Sequence, residues 1–197
     1  MIYTTAMLKN KYSDYSNPLD KIKREVDCGH IIRLNRGLYE SDNKVNPCFL
    51  ASSILSPSYL SFEYALMFYG LIPEKVTSIT SASFQMRKNK TFENSFARYE
   101  YSDVPSNAFS EGLTYIENDE YIVKIATKEK AICDSLSKWR VVHSIKELKE
   151  LLFVDKRIDI DEFQTCDFEL MVRLAKLYKK TNLNVLIKLV RREFTHE

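Results

Sequence analysis

The spacing of apolar residues changes character twice along the chain. Thr4 or Thr5 can cap a short helix to about Lys11, and Asn17-Pro18-Leu19-Asp20 then supplies an N-cap, a proline at the first helical position and an acid at the third. The helix that follows runs to about Cys28. Leu19, Ile22 and Val26 recur on one side at spacings of three and four, Lys21 and Arg24 project from the other, and Gly29 ends it. Residues 30–34 and 38–40 read as two short strands around Asn35-Arg36-Gly37, a turn in which glycine can take positive φ. Helix, helix, hairpin is the order of a winged helix-turn-helix, expected over residues 1–44.

The polar segment Ser41-Asp42-Asn43-Lys44 closes that pattern, and Pro47 opens another. A helix is expected over residues 47–55, and Ser61 is placed to cap a second over 62–69, whose stripe is Phe62, Ala65, Leu66 and Tyr69 with Gly70 at its exit. Residues 76–80, 90–92, 96–101, 113–117 and 120–126 read as strands, the last two joined by a turn at Asn118-Asp119. Thr127 caps a helix through about Trp139, and Ser144-Ile145-Lys146-Glu147 has the spacing of a capping box. Two tail helices follow, the second with the stripe Leu183, Leu186, Ile187, Val190 and Phe194. The expected fold class is α+β: a winged helix-turn-helix, then a larger domain over residues 45–197 with a mainly antiparallel sheet and C-terminal helices.

Composition narrows the class. Apolar residues at 45% and only 4 Gly and 5 Pro in 197 residues predict a packed core without long structureless linkers. A net charge of +2 implies no nucleic-acid or membrane partner in bulk, so any partner surface is local. No apolar run approaches the roughly 20 residues that span a bilayer. Residues 1–10 hold no apolar block followed by small residues, so no signal peptide is expected and the location is expected to be the cytoplasm. Cys28, Cys48, Cys133 and Cys166 stand far apart, which suits four buried thiols better than a zinc site.

Candidate catalytic groups are sparse. Four glycines leave no phosphate loop, no Gly-x-Ser-x-Gly elbow and no Walker sequence, and His30, His143 and His196 stand singly. Two acidic pairs support an alternative, a metal-dependent nuclease or nucleotidyltransferase: Asp159 with Asp161, and Asp134 with Glu147. A nucleotidyltransferase would also carry an upstream Gly-Ser, which the chain lacks. The first pair then reads as a loop entering a helix, and the second as a solvated helix face. No catalytic residue, cofactor or metal is expected.

Charge clusters carry more. Lys9, Lys11, Lys21, Arg24, Arg33 and Arg36 gather on the first unit, where they can neutralise phosphates and release counterions. Asn17 and Lys21 are the groove-facing candidates, while Asn35 and Arg36 at the hairpin tip can reach the backbone or minor groove. Asp20, Glu25 and Asp27 lie nearby and repel phosphate, so a solubilising charged face fits the same residues. Lys176, Lys179, Lys180, Lys188, Arg191 and Arg192 in the tail suit either an acidic partner or water.

Several blocks, in this order, resemble the AbiEi family of antitoxins. They are Arg33-Leu34-Asn35-Arg36-Gly37-Leu38-Tyr39, Pro57-Ser58-Tyr59-Leu60-Ser61-Phe62-Glu63-Tyr64-Ala65-Leu66 and Tyr69-Gly70-Leu71-Ile72-Pro73-Glu74. Ile79-Thr80-Ser81-Ala82, Phe96-Ala97-Arg98-Tyr99-Glu100-Tyr101 and Ile125-Ala126-Thr127-Lys128-Glu129-Lys130-Ala131-Ile132-Cys133-Asp134 continue the series. Ala97 stands where the family commonly has glycine, and Lys128 where it has proline. The resemblance implies an N-terminal winged helix that represses its own promoter by binding operator DNA. It also implies a larger domain that opposes a nucleotidyltransferase-like toxin encoded alongside. Glu63, Glu74, Glu129 and Lys130 are expected as exposed polar members of these blocks.

Overall fold

The computed structural model describes residues 1–194, so His196 lies outside the described residues. The first unit runs β1 (Ile2–Thr4), α1 (Thr5–Lys11), α2 (Pro18–Asp27), β2 (Ile32–Asn35) and β3 (Leu38–Glu40). Local chemistry sets its helix starts. The Thr4 hydroxyl accepts the Met7 N–H, and Asn17 Oδ1 accepts those of Leu19 and Asp20, with Pro18 filling a position that needs no donor. Gly37, at φ +79°, turns the hairpin, and its carbonyl accepts the Thr5 N–H.

The three strands form an antiparallel sheet in the order β1-β3-β2. Leu8, Ile22, Ile31 and Tyr39 make a separate small core against it. Sequence pattern does not predict β1, because three residues carry too little alternation; pairing with β3, Tyr3 opposite Tyr39, is what orders them. Leu19, expected on the apolar side of α2, is 51% exposed, since a core this small reaches only as far as Ile22.

A tight 3₁₀ turn (Pro47–Leu50) leads into the larger unit: α3 (Ala51–Ile54), β4 (Ser58–Leu60), α4 (Phe62–Phe68), β5 (Ser78–Ser83), β6 (Lys90–Glu93) and β7 (Arg98–Asp103). Next come α5 (Ser106–Phe109), β8 (Leu113–Glu117), β9 (Ile122–Ala126), α6 (Lys128–Leu136) and α7 (Ile145–Lys149). A π-helical stretch (Glu150–Asp155) precedes α8 (Ile160–Gln164), α9 (Phe168–Tyr178) and α10 (Thr181–Glu193). The sheet order is β6-β7-β5-β4-β9-β8. Antiparallel pairs predominate, but β4–β9 and β5–β7 are parallel, so the sheet is mixed. The parallel β4–β9 pairing arises because β4, which the sequence pattern does not predict, enters between β5 and β9.

Register assigns the two faces. Leu60, Ile79, Tyr99, Tyr101 and Ile125 share one, beneath the segment where Tyr101 Oη donates to Ala51 O at 2.6 Å and Tyr99 Oη to Pro47 O at 3.2 Å. Tyr59 and Thr80 share the other, under α4 and α6. The first unit docks on this body: Leu34 belongs to the large core, Asn94 Nδ2 donates to Leu34 O at 3.2 Å, and the Met1 ammonium meets Glu40 and, at 2.7 Å, Tyr121 Oη. The small and large cores therefore touch, and Leu34, with Ile2 and Leu38 packed beside it, contributes to the large one.

The β4–α4 junction is strained. Phe62 has φ +55°, a left-handed conformation that costs a bulky residue about 1–3 kcal/mol. Ser61 does not cap α4 as expected. Its hydroxyl turns inward to Asp134, and Thr80 Oγ1 takes the capping role, accepting the Tyr64 N–H at 2.9 Å while donating to Ser61 O at 2.6 Å.

Candidate functional site

The basic residues of the first unit do not share one state. Lys9, Arg24, Arg33 and Arg36 are exposed, with no ion pair among the described residues. Lys21 is held by Glu25 at 2.5 Å and lies over the rings of Tyr15 and Tyr12, and the Glu25 hydrogen bond raises its pKa. Lys11 sits 5.0 Å from the Tyr3 ring centroid. Glu25 also contacts His30 Nδ1 at 3.0 Å, and its own pKa is lowered, chiefly by the Lys21 hydrogen bond. Asn17, expected to face the groove, spends its amide on capping: besides the two N–H groups it accepts, Nδ2 donates to Asp20 Oδ2 at 2.8 Å. Asn35 Oδ1 likewise accepts the neighbouring Arg36 N–H at 2.7 Å.

The hairpin meets the body at a cleft of about 480 Å³ lined by Arg33, Asn35, Arg36, Phe92, Glu93 and Asn94. Sequence reasoning missed what continues it. Lys90 is two residues from Phe92 on β6, hence on the same strand face, and Arg87 and Lys88 in the preceding loop are exposed. Cationic side chains therefore extend from the hairpin onto the body, interrupted by Glu93. Only the sheet order, which makes β6 an edge strand beside the hairpin, reveals this.

The six basic tail residues are all exposed along α9, α10 and their junction, where Lys179 adopts φ +51°. Lys180 Nζ is partly committed, donating to Ser137 O at 2.7 Å. Lys176 and Arg191 line a cleft of about 270 Å³ between the two helices, together with Arg173 and Glu169.

The carboxylates of the alternative reading go elsewhere. Asp159 caps α8 by accepting the Glu162 N–H at 2.9 Å, and Asp161 is exposed. Glu147 accepts the His143 N–H and the Ser144 hydroxyl, each at 3.0 Å, and these bonds lower its pKa. Asp134, expected on a solvated face, is fully buried. Its Oδ1 accepts Tyr178 Oη at 2.5 Å and Lys130 Nζ at 3.2 Å, and its Oδ2 accepts Ser61 Oγ at 2.6 Å and Tyr59 Oη at 3.0 Å. Lys130, expected at the surface, completes its donors on Ala108 O and Tyr178 Oη. Glu129 is buried too and accepts the Asp167 N–H at 2.9 Å. A buried charge stays ionised in a core only when paired and hydrogen-bonded, and this cluster ties α6 to β4, α5 and α9. Among the described residues, no group of three or more His, Cys, Asp or Glu is arranged to hold a metal ion.

Three cysteines are buried, and burial pushes the Cys48 and Cys133 thiols upward and that of Cys166 up to about 12, which leaves them poor nucleophiles. Cys28 is exposed, contrary to expectation, because the chain leaves α2 at the surface there. Among the described residues, no helix is long and apolar enough to cross a membrane. Neither a model of any known protein family nor any curated protein matches this chain.

Proposed function

We propose that this chain is a cytoplasmic antitoxin and autorepressor of the AbiE type. Its first unit acts as a winged helix that binds operator DNA, and its larger unit counteracts a nucleotidyltransferase-like toxin. The observation that carries the DNA half is the set of exposed cations Arg24, Arg33 and Arg36, unpaired among the described residues, on a unit with its own core. Such cations bind duplex DNA through phosphate neutralisation, with the hairpin laid along the backbone and α2 presented to the groove. The ordered sequence blocks support the antitoxin half, and the basic face of α9 and α10 is suited to dock an acidic patch of the toxin.

The test is operator affinity against salt for the wild type and for Arg24→Ala, Arg33→Ala and Arg36→Ala. Each arginine that neutralises a phosphate should, once replaced, flatten the slope of log affinity against log salt by about 0.9. Unchanged affinity and slope in all three variants would overturn the DNA reading. Co-expression with the neighbouring toxin gene tests the other half: growth should recover, and reversing Lys188 and Arg191 to Glu should abolish the rescue.

A further inference from the structure

β8 is an outermost strand of the six-stranded sheet, paired with β9 alone. It lacks the devices that usually blunt such an edge: its five residues pair without a bulge, and they include neither proline nor lysine. Register decides which backbone groups are free. Gly112 O accepts the Thr127 N–H at one end, and the Asn118 N–H reaches Tyr121 O at the other. Even-numbered residues therefore bond to β9, and the N–H and C=O groups of Leu113, Tyr115 and Glu117 point away from the sheet.

The side chains of that same set flank a groove. Leu113, Tyr115, Ile122, Phe109, Pro57 and Tyr59 line a cavity of about 330 Å³, which also holds Lys124, and Tyr115 and Ile122 are each 58% exposed. The rim is acidic. Glu111, Glu117, Asp119 and Glu120 are exposed and form no ion pair among the described residues. That charge disfavours a second copy of the chain, because antiparallel self-pairing centred on Tyr115 sets Glu111 opposite Asp119.

We infer that the β8 edge is a docking site for an extended, lysine- or arginine-bearing segment of a partner protein, added to the sheet as a further strand with its alternate apolar side chains in the groove. Main-chain bonds to residues 113, 115 and 117 supply affinity, the groove selects apolar side chains at every second position, and the acids select basic flanks. The inference is independent of the DNA and toxin readings, which use other surfaces.

The test uses the full chain and two synthetic heptapeptides, one alternating valine with lysine and the other valine with glutamate, read by amide hydrogen exchange and fluorescence anisotropy. The lysine peptide should slow exchange at Leu113, Tyr115 and Glu117 and bind roughly ten-fold more tightly than its acidic counterpart. Tyr115→Pro, which deletes an outward N–H, should abolish the effect. Because proline can disturb the hairpin, Glu117→Lys with Glu120→Lys, both at exposed positions, provides the second arm and should invert the preference between the peptides. The inference is overturned if millimolar lysine peptide leaves those amides unprotected, if both peptides bind equally, or if the charge reversal changes nothing. Protection that grows with protein concentration in the absence of peptide would identify a second copy as the occupant and overturn it as well.

Discussion

Asp134→Ala removes the acceptor on which four buried donors converge: Tyr178 Oη, Ser61 Oγ, Tyr59 Oη and Lys130 Nζ. The Lys130 side chain is fully buried and keeps only neutral partners, Ala108 O and Tyr178 Oη. Removing one member of a buried ion pair costs about 3–5 kcal/mol, because the other charge stays desolvated. Hydroxyls left without an acceptor add about 1 kcal/mol after relaxation, since Ser61 and the tyrosines can partly rotate away. A loss of about 4–6 kcal/mol, at about 2–4 °C per kcal/mol for a chain of this size, predicts a Tm lower by about 10–20 °C. Calorimetry and urea midpoints at constant m-value measure it. Replacing both members, Lys130→Met with Asp134→Leu, should recover at least half the loss, because deleting a whole pair approaches neutrality. A loss below about 1 kcal/mol, or a double variant as unstable as the sum of the singles, would refute the claim that desolvated charge dominates this site.

Alkaline stability follows from burial of the tyrosines. Desolvation, with the neighbouring Asp134 charge, holds the Tyr59 and Tyr178 hydroxyls neutral well above their ordinary value of 10, and burial does the same for Tyr99 and Tyr101. Those pKa values are raised in the folded state, so their contribution is complete below pH 10 and is lost as pH rises beyond it; denaturant titrations should show ΔG falling above that pH. Glu25 competes with phosphate for Lys21, so under the DNA reading Glu25→Gln should tighten operator binding roughly two- to five-fold and steepen the salt slope. Equal affinity in electrophoretic or anisotropy titrations would show that Lys21 stands off the backbone.

Elements are legible in the sequence where their cause lies within a few residues. The caps at Asn17, Thr127 and Ser144 are readable because each side chain bonds an N–H two or three positions on. β8 matches its expected bounds because Thr114, Tyr115 and Ile116 are strong strand formers bounded by Gly112 and Asn118. β1 and β4 are not readable, being three residues each and ordered by partners distant in sequence. Lys130 and Glu129 defy the expectation of exposure for a related reason: charged residues face water by default, and only Ala108, Tyr178 and Asp167, brought in by α5 and α9, compensate their burial.

The candidate site divides in the same way. Residue type and the short hairpin mark Arg33 and Arg36 from the sequence, but the placing of Lys21 over the Tyr12 and Tyr15 rings and of Phe92, Glu93 and Asn94 beside the hairpin requires three dimensions. By itself the sequence determined helix starts, the hairpin turn at Gly37 and the α+β class, since hydrogen bonds to near neighbours and hydrophobic period need no distant partner. Tertiary structure decided strand order, the identity of the open edges and which charges are desolvated. Those depend on groups as far apart as Lys130 and Tyr178, and the free energy of a buried charge is set by whatever the fold places around it.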